Sequence, residues 1–364
     1  MSKGCQEEYE GSEITGKDPS VREWKELYDA AAEFKKLECW KWMRDSDIFG
    51  VLNPATGEIG YCSVMGMLGM HFALGVYRGR EGLEGYLRVQ SKVQSRGLPP
   101  TFEDMMLEQR CLMASFEDRE SLRERDLRVI GRRGLEFREH NSWPLFRSHR
   151  PGFYPWYVTR EEAKFLTLSL RQASEVACRF KKDPDLFEPP EPGKYLVRVP
   201  IETGGELKWA DKWLEPPPEK ERDAPKPPDS DVLEEIKGSN PRRRGAWEVD
   251  FFLLPNPVKD SVEDREERPY FPYVLLCMDR NTGFILEVHP SKPTEYLSEF
   301  PELFLDLLRG TAPLLPREVL AKKEEPIELL KPITSRLGIE LRRVKRFRVL
   351  EEAKSELIEG GGNI

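Results

Sequence analysis

The residue types that most often carry chemistry in proteins are few or widely spaced in this sequence. Six cysteines occur singly, at positions 5, 39, 62, 111, 178 and 277, and the four histidines are equally dispersed. Structural zinc sites need thiolates or imidazoles in close pairs, which this spacing does not supply. The G-x-S-x-G, P-loop, G-x-G-x-x-G and H-E-x-x-H motifs do not occur either. The sequence therefore predicts no cofactor, no metal centre and reduced structural thiols.

One segment, residues 143–157, combines aromatic side chains with cationic ones. It holds six aromatic residues, and Arg147, His149 and Arg150 lie between them in the sequence. Its prolines and glycine indicate a loop. A loop with this many aromatic residues either packs against its own domain or contacts a partner. If it binds a partner, the predicted residues are Arg147, Arg150, Tyr154 and Trp156, with the two guanidinium groups facing an anion or a carboxylate.

Two other clusters are strongly basic in a chain whose overall charge is negative. The sequence contains 57 Lys and Arg residues against 65 Asp and Glu, a net charge of −8, which argues against general nucleic-acid binding and against an anionic membrane. Residues 242–244 are three consecutive arginines, and residues 342–348 mix basic residues with Val344 and Phe347. The second cluster is typical of a strand or loop with a solvated basic face; a local contact with a nucleic acid or an acidic partner is the alternative.

The elements that would position these residues begin with an amphipathic helix. Ser20 and Glu23 have the spacing of a capping box, and apolar residues follow at helical spacing to about residue 43. Residues 59–77 carry no formal charge, but their four glycines and a period of two indicate paired strands rather than a membrane-spanning helix. We also predict strands over 48–53 and 110–115, a strand that begins at 135–138, and helices over 82–92, 103–109, 119–132 and 160–179. The polar, acidic start of the chain has no apolar signal core, which predicts a cytoplasmic protein.

The composition changes between residues 181 and 230, where proline-rich and charged runs flank a predicted hairpin over 195–214. The pattern then restarts, with strands over 273–278, 284–289, 318–321 and 339–343 and helices over 294–308, 327–336 and 350–358. We therefore predict an α+β protein with an N-terminal domain over 1–185, a proline-rich linker carrying the hairpin over 186–245, and a C-terminal domain over 246–364.

Two turns in the halves of the chain share one pattern. Residues 52–59 and 278–285 both read hydrophobic, Asn or Asp, two variable positions, Thr, Gly, one variable position, Ile. In each half, strands joined by a hairpin precede a helix, a strand, a second helix and a last strand. The fold class is then two related α/β units, and duplication of one unit or coincidence of common turn units could explain the pattern.

The element order in roughly the last ninety residues resembles a shortened ribonuclease-H-like fold. Active proteins with such folds hold two metal ions between carboxylates. The resemblance implies that Asp279 would be the first ligand, Glu299 or Glu302 the second, and Glu324 or Glu325 the third. It therefore implies a metal-dependent nuclease or phosphodiesterase as an alternative function.

Sequence blocks along most of the chain resemble a family of prokaryotic conserved hypothetical proteins of unknown function. The blocks are WKWM, DIFGV, VMG, VYRGREGL, SFEDR and RPGFYPW. The resemblance implies no catalytic residue. The leading prediction is a non-enzymatic cytoplasmic protein that binds an unknown protein or small-molecule partner.

The amide content bears on stability rather than on function. Asn and Gln together number 11 of 364 residues. Such a composition, combined with abundant Glu, Lys and Arg, is typical of proteins from hot habitats.

Overall fold

The computed structural model describes residues 18–97, 99–132, 134–203, 206–218, 227–261, 264 and 266–360. Helices and strands are both abundant, so the protein has the predicted α+β fold. The chain divides into two compact units. The first comprises the described parts of residues 1–87, 110–149 and 155–218, and the second those of residues 88–109, 150–154 and 219–364.

The elements are numbered along the chain. The helices are α1 Val21–Leu37, α2 Gly79–Arg96, α3 Phe102–Glu108, α4 Glu124–Gly131, α5 Arg160–Phe180, α6 Ser230–Gly238, α7 Tyr296–Thr311, α8 Glu324–Leu337 and α9 Leu350–Gly360. The strands are β1 Phe49–Leu52, β2 Ile59–Met65, β3 Phe72–Arg78, β4 Cys111–Glu117, β5 Trp143–His149, β6 Tyr195–Thr203, β7 Glu206–Leu214, β8 Arg242–Arg243, β9 Ala246–Leu253, β10 Tyr273–Asp279, β11 Ile285–Ser291, β12 Leu314–Leu315, β13 Glu318–Ala321 and β14 Glu340–Arg343. Each helix in the described ranges is too short or too polar to cross a bilayer.

The first unit is built on a seven-stranded sheet with the order β5-β4-β3-β2-β1-β6-β7. Neighbouring strands are antiparallel except β1 and β6, which run parallel. Helices α1 and α5 pack against each other and supply apolar side chains to the core on one face of the sheet. Helix α1 begins at the predicted capping box, because Ser20 and Glu23 each accept a hydrogen bond from the other's backbone N–H.

The hairpin predicted within the linker is part of this sheet. Strand β6 pairs with β1, with Gly50 opposite Val197. The Val197 side chain is fully buried among Tyr61, Leu83 and other apolar residues. Burial of this strand against the sheet outweighs the proline-rich composition on either side of it, so the first unit extends to residue 218 rather than ending at 185.

A second difference concerns residues 143–149, which we predicted as loop and which form the edge strand β5. Its residues alternate between half-buried and buried positions, with Pro144, Phe146 and Ser148 facing inward. Proline is tolerated here because an edge strand leaves one side of its backbone unpaired. The strand predicted to begin at 135 does not form; residues 135–138 have no regular structure.

The second unit is built on a five-stranded sheet with the order β11-β10-β9-β13-β14. Strands β9, β10 and β11 are antiparallel neighbours, whereas β13 is parallel to both β9 and β14. Apolar residues of α6, α7 and α8 cover one face, and α9 covers part of the other. The central strand β9 was not predicted, because Glu248 and Asp250 interrupt its apolar sequence, although every residue in it is buried.

The predicted relationship between the halves is limited to the turns. Asn53 and Asp279 each accept a hydrogen bond from the turn glycine and donate one back across the hairpin, to Glu58 and Phe284 respectively. The strand after the helix, however, is antiparallel to β3 and lies between β3 and edge strand β5 in the first unit, whereas it is parallel to central β9 in the second. The two units therefore differ in topology beyond this turn.

Candidate functional site

Arg147 is held in an ion pair inside the first unit. Its two terminal nitrogens lie 2.9 and 2.6 Å from the two carboxylate oxygens of Asp126, and both side chains are almost nine-tenths buried. The guanidinium also lies 4.7 Å from the ring centre of Tyr157. An anion would have to displace Asp126 to reach this arginine.

Trp156 lies beside the same strand. Its backbone exchanges two hydrogen bonds with Ser148, at 2.8 and 3.0 Å, and its ring meets the edge of Tyr157 at 5.1 Å. Trp156 therefore forms a single antiparallel β-bridge with the edge strand β5 of the first sheet. Its half-buried ring is part of the packing around Tyr157.

Arg150 and Tyr154 belong to the second unit, so the four predicted binding residues divide between the units. The exposed guanidinium of Arg150 lies 4.5 Å from the ring centre of Phe153. Tyr154 is half-buried against the apolar core, 6.0 Å from Phe271, and its carbonyl accepts a hydrogen bond from Arg268. Of the four, Arg150 offers the most accessible charge.

A pocket that the sequence did not predict lies at one side of the second sheet. It has a volume of about 640 Å³. Four segments form its walls: the chain that leaves β9, the chain that enters β10, the end of edge strand β11, and the start of α7. It is lined by Leu254, Asn256, Pro257, Val258, Tyr270, Pro272, His289, Pro290, Ser291, Lys292, Glu295 and Glu299.

Backbone hydrogen bonds fix these walls. Leu254 donates to Pro272 at 2.9 Å, and Val258 and Tyr270 exchange hydrogen bonds at 2.8 and 2.9 Å. The chain then turns at Lys292, whose carbonyl accepts hydrogen bonds from the amides of Glu295 and Tyr296 at the start of α7. The walls are therefore set by main-chain geometry rather than by side chains alone.

Glu299 is the central polar group of the pocket. One of its carboxylate oxygens accepts a hydrogen bond from the Ser291 hydroxyl at 2.5 Å and lies 3.8 Å from Nε2 of His289. His289 and Ser291 are two positions apart on β11, so their side chains lie on the same side of the strand. The carboxylate remains 38% exposed, so it can contact a ligand.

The cation of the pocket, Lys292, is already neutralised. Its ammonium lies 2.5 Å from Asp260, and Asp260 also accepts a hydrogen bond from the Tyr270 hydroxyl at 3.1 Å. The hydrogen bond to Lys292 lowers the pKa of Asp260 and raises that of Lys292. Glu295 is 3.9 Å from the same ammonium, which leaves Glu295 and Glu299 as incompletely balanced negative charges.

The carboxylates that the ribonuclease-H-like resemblance implied as metal ligands have other partners. Oδ1 of Asp279 accepts hydrogen bonds from the amides of Asn281 and Thr282 and from the Thr282 hydroxyl. This arrangement closes the turn between β10 and β11. Asp279 therefore stabilises a turn, as Asn53 does in the first unit through the amide of Ala55.

Three of the four remaining candidates also have partners, Glu299 through the contacts described above. Glu324 pairs with Arg343 at 3.2 Å, and Glu325 accepts hydrogen bonds from the hydroxyls of Tyr273 and Tyr296. Glu302 lines a separate groove between α6 and α7. In the described parts of the chain, no three His, Cys, Asp or Glu residues are grouped so as to hold a metal ion.

Two buried acids on β9 are structural. Glu248 accepts hydrogen bonds from the amides of Arg348, Val349 and Leu350, at 2.7 to 3.1 Å, and so caps the start of α9. Asp250 pairs with Lys354 of α9 at 2.7 Å. Charged residues in an otherwise apolar run are the signal that could have indicated such a buried, partnered strand.

Comparison with protein families agrees with the two-unit structure. Residues 24–198 match the model of a domain of unknown function, DUF7309, and residues 232–358 match that of a second domain of unknown function, DUF6930. No curated protein and no solved structure has significant similarity to the chain. The chain therefore contains one domain of each of these two families, both of unknown function.

Proposed function

We propose that the protein is a non-enzymatic, cytoplasmic binding protein whose pocket beside β11 takes a small molecule with an apolar body and a positively charged amine. The observation that supports this proposal is the pocket itself, at about 640 Å³. Sites for small molecules have volumes of roughly 300–1,000 Å³, apolar walls and a few polar groups that orient the ligand. The free thiols of the described cysteines suit a reducing compartment.

The apolar walls of the pocket suit the apolar body of such a ligand, and its carboxylates suit the amine. Leu254, Val258 and Pro272 offer an apolar surface on which a ring or alkyl chain would pack. Glu295 and Glu299 lie at the start of α7, and Asp260 neutralises the nearest cation, Lys292. The resulting local excess of negative charge selects an ammonium group over a carboxylate.

The order of the polar contacts supports binding over nucleophilic catalysis. In a Ser–His–acid triad the imidazole lies between the hydroxyl and the carboxylate, so that it can remove the hydroxyl proton. Here the carboxylate of Glu299 lies between Ser291 and His289. The geometry therefore suits an acceptor that orients a ligand.

Phenethylamine and 3-phenylpropionate form a suitable pair of probes, because they share an aromatic body and differ in charge. We expect NMR titration of the full chain to show weak binding of phenethylamine, with Kd below about 1 mM, and none of 3-phenylpropionate. Glu299→Gln should weaken that binding about tenfold. Val258→Trp, which fills the pocket, should abolish it.

Glu302→Gln is the matched control, because Glu302 is on the same helix and outside this pocket. It should leave binding unchanged. Equal affinity for the two probes, or an equal loss in Glu302→Gln and Glu299→Gln, would exclude the proposed charge selection.

The alternative function, a metal-dependent nuclease or phosphodiesterase on a ribonuclease-H-like scaffold, stays a prediction. Its support is the order of strands and helices along the second unit. The partners of Asp279, Glu324 and Glu325 favour the binding proposal over it.

A further inference from the structure

The second unit carries exposed arginines that lack acidic partners. Among the residues that the structure describes, Arg242, Arg244 and Arg317 are exposed and take part in no ion pair. Arg342, on the neighbouring strand β14, is by contrast 2.7 Å from Glu318.

Backbone hydrogen bonds place Arg244, Arg317 and a third arginine, Arg280, at one edge of the sheet that is formed by strand ends. Arg242 lies two residues before Arg244, on the short strand β8. Arg244 donates to Leu315 at 2.9 Å, and Arg317 donates to Gly245 at 3.0 Å. Arg280, which directly follows β10, donates to Ala246 at 2.9 Å. Arginines therefore lie just before β9, just before β13 and just after β10, which are adjacent strands in the sheet.

An exposed aromatic residue continues this row. Phe284 is 70% exposed, and its carbonyl accepts a hydrogen bond from the amide of Asp279 at 2.9 Å. Because β11 is antiparallel to β10, Phe284 lies at the same edge as Arg280. The row Phe284, Arg280, Arg244 and Arg317 crosses four strands, or about 14 Å at the usual strand spacing.

Acidic groups at this edge are already engaged. Asp279 accepts three hydrogen bonds within its own turn. Glu248, which is 1% exposed, lies 3.4 Å from Nε of Arg280 and also caps α9. Glu318 and Glu340, which begin β13 and β14, lie 2.7 and 3.8 Å from Arg342. Because the arginines outnumber these carboxylates, the edge presents a net positive charge, with part of the Arg280 side chain still exposed.

We propose that this edge binds a single-stranded nucleic acid. Guanidinium groups match phosphate oxygens in geometry and charge, and an exposed aromatic ring stacks on unpaired bases. An acidic protein would use the arginines but would leave Phe284 without a matching group. This inference goes beyond the proposed function, which concerns the pocket beside β11, and is independent of it.

Fluorescence anisotropy with labelled fifteen-nucleotide oligo-dT and oligo-U tests the proposal on the full chain. Arg242→Ala/Arg244→Ala/Arg317→Ala should weaken binding at least tenfold at about 100 mM NaCl and reduce the slope of log Kd against log[NaCl] by about 2, because each lost phosphate contact removes roughly 0.7. Phe284→Ala should weaken binding about tenfold and leave the slope unchanged.

The charge-matched control is Arg171→Ala/Lys182→Ala/Lys208→Ala, which removes three exposed cations from the first unit. It should bind as the unaltered chain does. Absence of binding to either oligonucleotide, or an equal loss in the control, would overturn the proposal. Equal affinity for polyglutamate together with a silent Phe284→Ala would also overturn it and identify an acidic protein as the partner. Circular dichroism verifies that each variant is folded.

Discussion

Acidic side chains in the second unit differ in how completely they are neutralised. Glu248 is buried, and three backbone amides and a nearby arginine satisfy its carboxylate. Asp250 forms an ion pair with a lysine, and Asp279 accepts hydrogen bonds within its own turn. Glu295 and Glu299 instead face a pocket with one cation that is already paired. Incomplete neutralisation, rather than acidity, distinguishes the candidate ligand site from structural carboxylates.

Asp279→Asn should be nearly silent, because an amide oxygen can accept the same three hydrogen bonds in the turn. We expect the free energy of unfolding to change by less than about 0.5 kcal/mol, whereas Asp279→Ala should lose about 1 kcal/mol. Chemical denaturation measures both. A rise of the melting temperature with Mg²⁺ or Mn²⁺ that disappears in Asp279→Asn would instead support the nuclease.

Asp104 gives the second unit a defined acid sensitivity. Burial alone would raise its pKa, but hydrogen bonds with Lys92 and Thr101 outweigh burial and lower the pKa to about 2, from an ordinary 3.8. A lowered carboxylate pKa stabilises the folded state above about pH 4, and that stabilisation is lost as the pH falls through about 2. The sensitive window is therefore pH 4 to 2.

Asp104→Asn should accordingly lower the free energy of unfolding by about 1–2 kcal/mol at pH 7. The difference from the unaltered chain should shrink as the pH falls below 4, in urea unfolding followed by circular dichroism. Glu352→Gln, at an exposed position of α9, should leave the pH profile unchanged. A loss in Asp104→Asn that is constant between pH 7 and pH 3 would contradict the linkage.

At the residue scale, contacts between residues close in the sequence could be predicted, whereas contacts between residues far apart in the sequence could not. The capping box at Ser20 and the turn at Asp279 depend on residues within four positions of each other. The pocket is assembled from segments around residues 254–258, 270–272 and 289–299, and Arg147 finds its partner 21 positions away in Asp126. No periodicity in the sequence encodes such contacts.

At the scale of elements, both missed strands have a physical explanation. Strand β5 contains Pro144 and lies at the sheet edge, where the missing amide costs no ladder hydrogen bond. Strand β9 is central and contains two carboxylates. They can be buried there because backbone amides at the start of α9 and a lysine of α9 interact with them. In each case the tertiary surroundings overrode a local signal.

Val197→Ala tests whether the hairpin β6–β7 is integral to the first unit. The side chain is fully buried, so its truncation should lower the free energy of unfolding of that unit by about 2 kcal/mol. Ile201→Ala on the same strand is the control, because Ile201 is 42% exposed and should cost much less. Urea denaturation measures both; a silent Val197→Ala would indicate a hairpin that is independent of the sheet.

At the scale of the whole molecule, charge is organised into networks within each unit. In the first unit, Arg198 is 4% exposed and lies 2.6 Å from both Glu175 and Asp211. Arg78 similarly connects Glu58 at 2.9 Å with Glu162 at 3.2 Å. Networks of this kind contribute more at high temperature, because the cost of removing water from charged groups falls as temperature rises.

These networks, together with only 11 Asn and Gln residues, lead us to expect a melting temperature above about 75 °C, beyond the range of roughly 45–65 °C typical of mesophilic domains. Differential scanning calorimetry at pH 7 measures it. Arg198→Met should lower the midpoint of the first unit, because it leaves Glu175 and Asp211 without their shared cation. Arg171→Met, at an exposed position of the same unit without an ion pair, should not. A midpoint within the mesophilic range would contradict the inference from composition, because the networks would then not provide the expected stabilisation on heating.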